Sequence, residues 1–272
     1  MKIGFVDSGI GLLAAAAAVR RLRADAHLVL SSDPAGMPWG PRAPQDVTAR
    51  ALACARAAAD EGLDALIVAC NTASVHALPA LRAAFEPGLP VVGTVPAIKP
   101  AAARHSAVAI WATPATTGSP YQRGLIAEFG NGADITEVPC PGLADAVQHA
   151  DADAVRAAVE AAAALTPAGV GAVVLGCTHY ELVRSRIAEA VPGAELYGSA
   201  DAVAAQALRR LVGAGAVGSG SGTQPGAAPG GSPDAPAVGA VDVLLGGRRA
   251  AMPEAALGYP EGAALAGSPA TA

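Results

Sequence analysis

The sequence predicts an α/β protein built from two similar parallel-sheet lobes, related by a pseudo-twofold axis, with a cleft between them. Three observations carry this. Short apolar runs alternate with helix-like stretches from residue 2 to about 212. The alternation starts afresh near residue 106. The two halves also superimpose on one another at a cysteine that ends a strand in each.

The elements follow in order. KIGFV (2–6) reads as a buried strand ending at Asp7-Ser8-Gly9, with an Ala-rich helix after it to about Arg23. HLVLSSD (27–33) is a second strand. A loop rich in proline precedes a helix over roughly 46–60. DALIVA (64–69) is a third strand, followed by one helix over 73–85, and LPVVGTV (89–95) is a fourth. The second unit begins with strand SAVAIWAT (106–113). It continues through a helix near 120–129, strand ADITEVPC (133–140), helix 151–164 and strand GAVVLG (171–176). A helix over 181–190, a strand near 194–198 and a last helix over about 201–212 complete it. Continuous apolar strands joined by helices are the signature of a parallel sheet covered on both faces.

The expected organisation is an N-terminal lobe of residues 1–95 completed by about 206–212, and a second lobe of 96–205. A disordered Gly/Pro/Ser/Ala-rich linker is expected over 213–240. The tail, 241–272, contains VDVLLGG, which suits an edge strand or an anchoring segment as well as a mobile end.

Composition excludes several classes. The formal charge is −5 and no basic stripe is visible, so nucleic acid is not an expected partner. The apolar runs are too short to span a bilayer. The alanine run near the start sits behind Asp7 and three glycines with no positively charged leader of useful length, which is not the form expected of a signal peptide. A cytoplasmic protein with reduced thiols is expected. The four cysteines, at 54, 70, 140 and 177, form no CxxC pair. A metal site from Cys140, Cys177 and His179 has poor spacing, and none is expected. DSGIG follows a strand but lacks the third glycine spacing of a dinucleotide fingerprint, so no nucleotide cofactor is expected.

The repeat carries the chemistry. DALIVACNTAS (64–74) lies over GAVVLGCTHYE (171–181), with Cys70 on Cys177. Each cysteine follows a buried strand, opens a helix, and leads on to a Pro-Gly. In open α/β sheets, ligands bind beyond the carboxyl ends of the strands. Asp7, Asp33, Cys70, Thr113 and Cys177 all stand at such ends. Two facing lobes would place one thiol on each wall of the cleft. A helix N-terminus favours the thiolate. Asp7 is placed to serve Cys70 as base or orienting group, and His179 to serve Cys177. Ser8, Asn71, Thr72 and Thr178 offer hydrogen bonds to carboxylates. A base on each face of one carbon is what stereoinversion requires.

Taken singly, each of these residues has a plain structural reading. Cys70 and Cys177 could be small core residues, Asp7 a helix cap and His179 a satisfied helix-start histidine. The repeated thiols with polar followers favour function. Cys54, Cys140, His27, His76, His105 and His149 are read as structural. Thr116 and Thr117 either bind a carboxylate or cap the helix near Ser119.

FVDSGIG (5–11), DPAGMPWG (33–40), VACNTAS (68–74), VGTVPAIKPAA (92–102), ATPATTGSPY (112–121) and LGCTHY (175–180) together resemble the cofactor-independent aspartate/glutamate racemase family, and within it the glutamate racemases. The resemblance runs from residue 3 to about 212. It implies that Cys70 deprotonates D-glutamate and Cys177 L-glutamate, helped by Asp7 and His179. It implies substrate contacts from Asp7, Ser8, Trp39, Gly40, Asn71, Thr72, Thr178 and His179, with no cofactor. It further implies a homodimer and a supply of D-glutamate for peptidoglycan. Four positions depart from the pattern. Leu12 stands for a second consecutive glycine, Trp39 for a tyrosine, Glu181 for a common proline, and Gly198-Ser199 for a frequent Asp-Ser. They keep open an aspartate or other amino-acid racemase, and a weakly active binding homologue.

Overall fold

A computed structural model describes residues 1–218 and 238–268. The first strands form as the apolar runs dictate: β1 (Lys2–Asp7), β2 (His27–Ser32), β3 (Ala65–Val68) and β4 (Val91–Gly93), all parallel. Between them lie α1 (Leu12–Leu22), α2 (Pro44–Ala59), α3 (Asn71–His76) and α4 (Leu78–Phe85). The second unit has β5 (Ala107–Ala112), β6 (Asp134–Pro139), β7 (Ala172–Leu175) and β8 (Glu195–Tyr197). Its helices are α5 (Ile98–Ala102), α6 (Pro120–Phe129), α7 (Leu143–Gln148), α8 (Ala152–Leu165), α9 (Thr178–Glu181) and α10 (Arg184–Ala190). The strand orders β2-β1-β3-β4 and β6-β5-β7-β8 are the same permutation, so the repeat read from the cysteines extends to the topology.

Local chemistry places the helix ends. Pro44 and Pro120 sit in the first turns of α2 and α6, where a missing N–H costs nothing. Ser119 caps α6 by accepting from the Gln122 N–H, and Asp151 caps α8 through the N–H groups of Asp153 and Ala154.

Several expectations are corrected. The single helix expected over 73–85 is two. Pro79 cannot continue α3, because it lacks an N–H and its ring meets the carbonyl one turn back. The helix expected from 181 starts at Thr178 and breaks between α9 and α10. The final helix, α11 (Ala200–Gly218), runs past residue 212, so the linker expected from 213 is helical to Gly218. The rest of that expected linker, residues 219–237, lies outside the described residues. The lobe boundary expected at 205/206 falls inside α11, which packs on α1, β3 and β4 from its place after β8. The short helices α5 and α7 carry too few turns to show a period.

The tail is the largest difference. Through Ser268 it is folded onto the N-terminal lobe. β9 (Val241–Leu245) pairs in parallel with β2, and β10 (Arg248–Ala250) turns back on it across Gly246 and Gly247, both at positive φ. The six-stranded sheet is therefore β10-β9-β2-β1-β3-β4. Helices α12 (Glu254–Leu257) and α13 (Pro260–Ala266) follow, and α13 lies against α1. Leu12, one of the departures, is buried and shares a narrow cleft with Met252, Pro253 and Ala256 of this segment. Tyr259 donates a hydrogen bond to the Val147 carbonyl on α7 at 2.7 Å. One apolar cluster thus runs continuously from Phe5 and Leu13 through Tyr259 to Trp111 and Leu175.

Val241, Val243, Leu244 and Leu265 are all buried, and each such side chain is worth about 1.5–3 kcal/mol. A chain cut before residue 238 is expected to melt at least about 10 °C lower and to aggregate through the bared edge of β2. Thermal melting of the shortened chain checks this. Among the described residues, no helix is long and apolar enough to cross a membrane.

Candidate active site

The site is assembled from strand ends. β1 delivers Asp7 and Ser8, β3 delivers Cys70, β5 leads into Thr113–Thr117, and β7 delivers Cys177. Cys70 and Cys177 have extended backbones (φ −145° and −138°) and stand just before α3 and α9. A cavity of about 270 Å³ lies between the lobes. All ten residues expected at the site line it: Asp7, Ser8, Trp39, Gly40, Cys70, Asn71, Thr72, Cys177, Thr178 and His179.

Each thiol has its own partner. The Asp7 carboxyl is the group that acts on the Cys70 thiol. The Asp7 Oδ1 accepts from the Ser8 N–H at 2.6 Å and the Ser8 hydroxyl at 3.2 Å, and Oδ2 accepts from Thr178 Oγ1 at 3.2 Å. Asp7 has no solvent exposure. Burial raises it to about 7, against the pull of these donors. It therefore exchanges its proton near neutrality.

On the other wall, Cys177 Sγ lies 3.9 Å from His179 Nδ1. His179 Nε2 lies 3.1 Å from Gln148 Oε1, which also accepts the Ile10 N–H at 2.9 Å. An oxygen that accepts from a backbone N–H must accept from the ring as well. The proton is thus on Nε2, and Nδ1 turns a bare lone pair to the thiol. Burial lowers His179 to about 4, which keeps it neutral.

The expected effect of the helix starts on the thiols is outweighed. N–H groups of His179 and Tyr180 do pull Cys177 down, and that of Ala73 pulls Cys70 down. Burial is the larger effect. It pushes Cys177 up to about 12, and with the Asp7 charge it holds Cys70 well above the ordinary thiol range. Both cysteines rest as neutral thiols, so each needs the base beside it.

Three bonds tie the lobes together here. Besides Thr178 to Asp7 and Ile10 to Gln148, Asn71 Nδ2 donates to the Gly176 carbonyl at 2.9 Å. The Asn71 Oδ1 is buried without a hydrogen-bond partner. A lone acceptor in this wall suits an ammonium group. Among the described residues that line the cavity there is no Lys or Arg. A substrate carboxylate would meet hydroxyl and N–H donors instead.

Trp39 is buried, and its indole N–H donates to Asp33 Oδ2 at 3.1 Å, which Arg50 also engages at 3.0 Å. Asp33 therefore anchors the loop and does not line the cavity, although it ends a strand as Asp7 does. The threonine question divides. Thr116 lines the cavity with Thr113, their hydroxyls 3.2 Å apart, whereas Thr117 hydrogen-bonds the Thr113 carbonyl within the loop. Cys140, read as structural, is a third thiol on the cavity wall, held up at about 12 by burial. Cys54 is buried in α2. His27, His76, His105 and His149 lie off the cavity; His27 pairs with Asp242 at 2.6 Å and His105 with Glu195 at 3.1 Å. Gln148 was not found from sequence. Nothing near ADAVQHA marks it, because its partners are residues 10 and 179.

A two-lobed α/β enzyme with paired thiols across one small cavity is the class that fold and site define. The Asp/Glu/hydantoin racemase family model matches residues 12–207. A glutamate racemase of Roseiflexus sp. strain RS-1 is 39% identical over 186 residues, 66% of this chain and 68% of that relative. One of Pseudomonas putida is 35% identical over 217 residues, 78% of this chain and 82% of that relative. Among solved structures, Escherichia coli glutamate racemase in complex with L-glutamate and the activator UDP-MurNAc-Ala matches with a TM-score of 0.76 at 28% identity, over 94% of this chain and 91% of that one. The chain belongs to the Asp/Glu/hydantoin racemase family.

Proposed function

We propose that this chain interconverts L- and D-glutamate by moving one proton between the two faces of Cα. The observation that carries the reading is the pair of thiols lining one cavity, each beside its own buried base. Relatives that share most of the chain are glutamate racemases.

For D-glutamate, the Asp7 carboxylate takes the Cys70 proton, and the resulting thiolate takes the proton from Cα. The charge spreads into the substrate carboxylate, which the Thr72 hydroxyl and the backbone N–H groups of Asn71, Thr72 and Thr178 receive, since the Ser8 donors and the Thr178 hydroxyl are engaged by Asp7. The Cys177 thiol then gives its proton to the opposite face. For L-glutamate the order reverses: His179 Nδ1 draws the proton from Cys177, and Cys70 returns one. Asn71 Oδ1 accepts from the substrate ammonium. Trp39 and Gly40 line the cavity. Exchange with solvent restores the starting protonation. The reaction needs no cofactor, since these groups supply both base and acid.

We place the protein in the cytoplasm as a homodimer that supplies D-glutamate for peptidoglycan. Light scattering after size-exclusion chromatography tests the dimer. Purified protein in deuterated water, given L- or D-glutamate and separately aspartate, tests the reaction. Loss of optical rotation with Cα deuterium uptake is expected for glutamate. No exchange with any acidic amino acid would overturn the reading.

A further inference from the structure

The catalytic wall of the second lobe hangs on a very short helix. α9 has only four residues, Thr178–Glu181, and it carries Thr178 and His179 directly after Cys177. Its last residue is tied down in an unusual way. Glu181 Oε1 accepts three hydrogen bonds: from the Ser199 N–H at 2.8 Å, the Ser199 hydroxyl at 2.9 Å and the Ala200 N–H at 3.1 Å. These donors form the N-terminus of α11, the helix that leaves β8 and packs on α1, β3 and β4 of the other lobe. The Glu181 carboxylate is largely buried. Room for it exists because residue 198 is glycine: a Cβ there would stand 2.4 Å from Glu181 Oε2. On the same side, Thr178 and Glu181 share a narrow cleft with Gly11, Ala14 and Ser199.

We propose that Glu181 is a positioning residue: it clamps the helix bearing Cys177, Thr178 and His179 to the start of the helix that crosses back to the first lobe. The clamp sets the distance of the Cys177 thiol from the substrate carbon. The two departures at 181 and 198 thereby become one device, a carboxylate and the space that admits it. The inference rests on the two-thiol reading above, with Cys177 serving the L face.

The test measures the full-length protein and its Glu181→Ala, Glu181→Gln and Gly198→Ala variants, with the double variant Glu181→Ala/Gly198→Ala. Thermal melting gives the folded fraction. Steady-state rates are taken in both directions, with substrates deuterated at Cα. A displaced thiol makes the Cys177 step slower than the Cys70 step. Glu181→Ala is expected to lower kcat about 10- to 100-fold, as a misplacement near 1 Å does. The deuterium isotope effect is expected to rise from the L side and fall from the D side. Glu181→Gln keeps an acceptor oxygen and restores most of the rate. Gly198→Ala displaces the carboxylate and behaves like Glu181→Ala, yet adds little to it in the double variant. A rate loss that follows the folded fraction, with isotope effects unchanged from both sides, overturns the clamp. So does full activity in Glu181→Ala. An isotope shift of opposite sense supports the clamp and instead reverses the assignment of faces, while the two-thiol reading itself is judged on Cys70→Ala and Cys177→Ala in the same series.

Discussion

Cys70→Ala and Cys177→Ala are each expected to abolish racemisation, lowering kcat/KM by at least about 10³-fold, within the range for removing a positioned acid or base. Each variant removes one face of the reaction and leaves the other thiol with its partner. Neither loss should spread to the fold, because a cysteine truncated to alanine gives up little volume beside a cavity. The serine variants separate the roles. With Cys177→Ser, proton removal from D-glutamate by Cys70 persists without inversion, so Cα deuterium enters the D isomer while the rotation holds. Cys70→Ser shows the mirror behaviour with L-glutamate. Intact racemisation in either alanine variant would end the two-thiol mechanism. Inversion measured by circular dichroism, beside exchange followed by proton NMR, decides the matter.

Asp7→Asn is expected to cost activity about 10²- to 10⁴-fold and at the same time to stabilise the protein at alkaline pH. Both follow from the burial of Asp7, which raises it from 3.8 to about 7. The folded state holds this proton more tightly than the unfolded chain does. Its contribution to stability is fully present below pH 3.8 and is lost as pH rises through about 7. Over that window the cost is on the order of 4 kcal/mol, at roughly 1.4 kcal/mol for each unit. Asparagine carries no such cost. The variant should therefore match the wild type near pH 4 and exceed it by a few kcal/mol at pH 8, as read by urea unfolding at the two pH values. Activity of the wild type with D-glutamate should climb through pH 7, as Asp7 loses its proton. A variant with the same stability difference at both pH values would show that Asp7 is not buried as an acid. His179 runs the other way. Burial lowers it to about 4, so it remains a neutral acceptor over the working range and supplies no break near pH 6.5.

Much of the architecture was legible in local pattern. Strands β1, β3, β5 and β7 are buried on both faces, so they appear as unbroken apolar runs, and their ends point at Asp7, Cys70, Thr113 and Cys177. The repeat was legible because each thiol sits at the same junction of strand and helix. All ten expected site residues line the cavity because every one is within four residues of a strand end or belongs to the Trp39-Gly40 loop. Short elements escaped. α5 and α7 are shorter than two turns, which leaves no period to read. The tail escaped for another reason. VDVLL has the composition of a strand, but pairing with β2 is a contact across more than 200 residues and leaves no local trace.

Amino-acid order alone determined the fold class, the duplicated unit, the two thiols and the polar groups around them, since periodicity, helix starts and strand ends are properties of neighbouring residues. Tertiary structure decided what those groups are chemically. It buried both thiols until desolvation outweighed the helix starts. It raised Asp7 to about 7 and lowered His179 to about 4. It brought Gln148 from α7 to fix the proton on His179, and it set Glu181 into the space beside Gly198. Each of these depends on which distant surfaces exclude water together, and that is settled only when the lobes close.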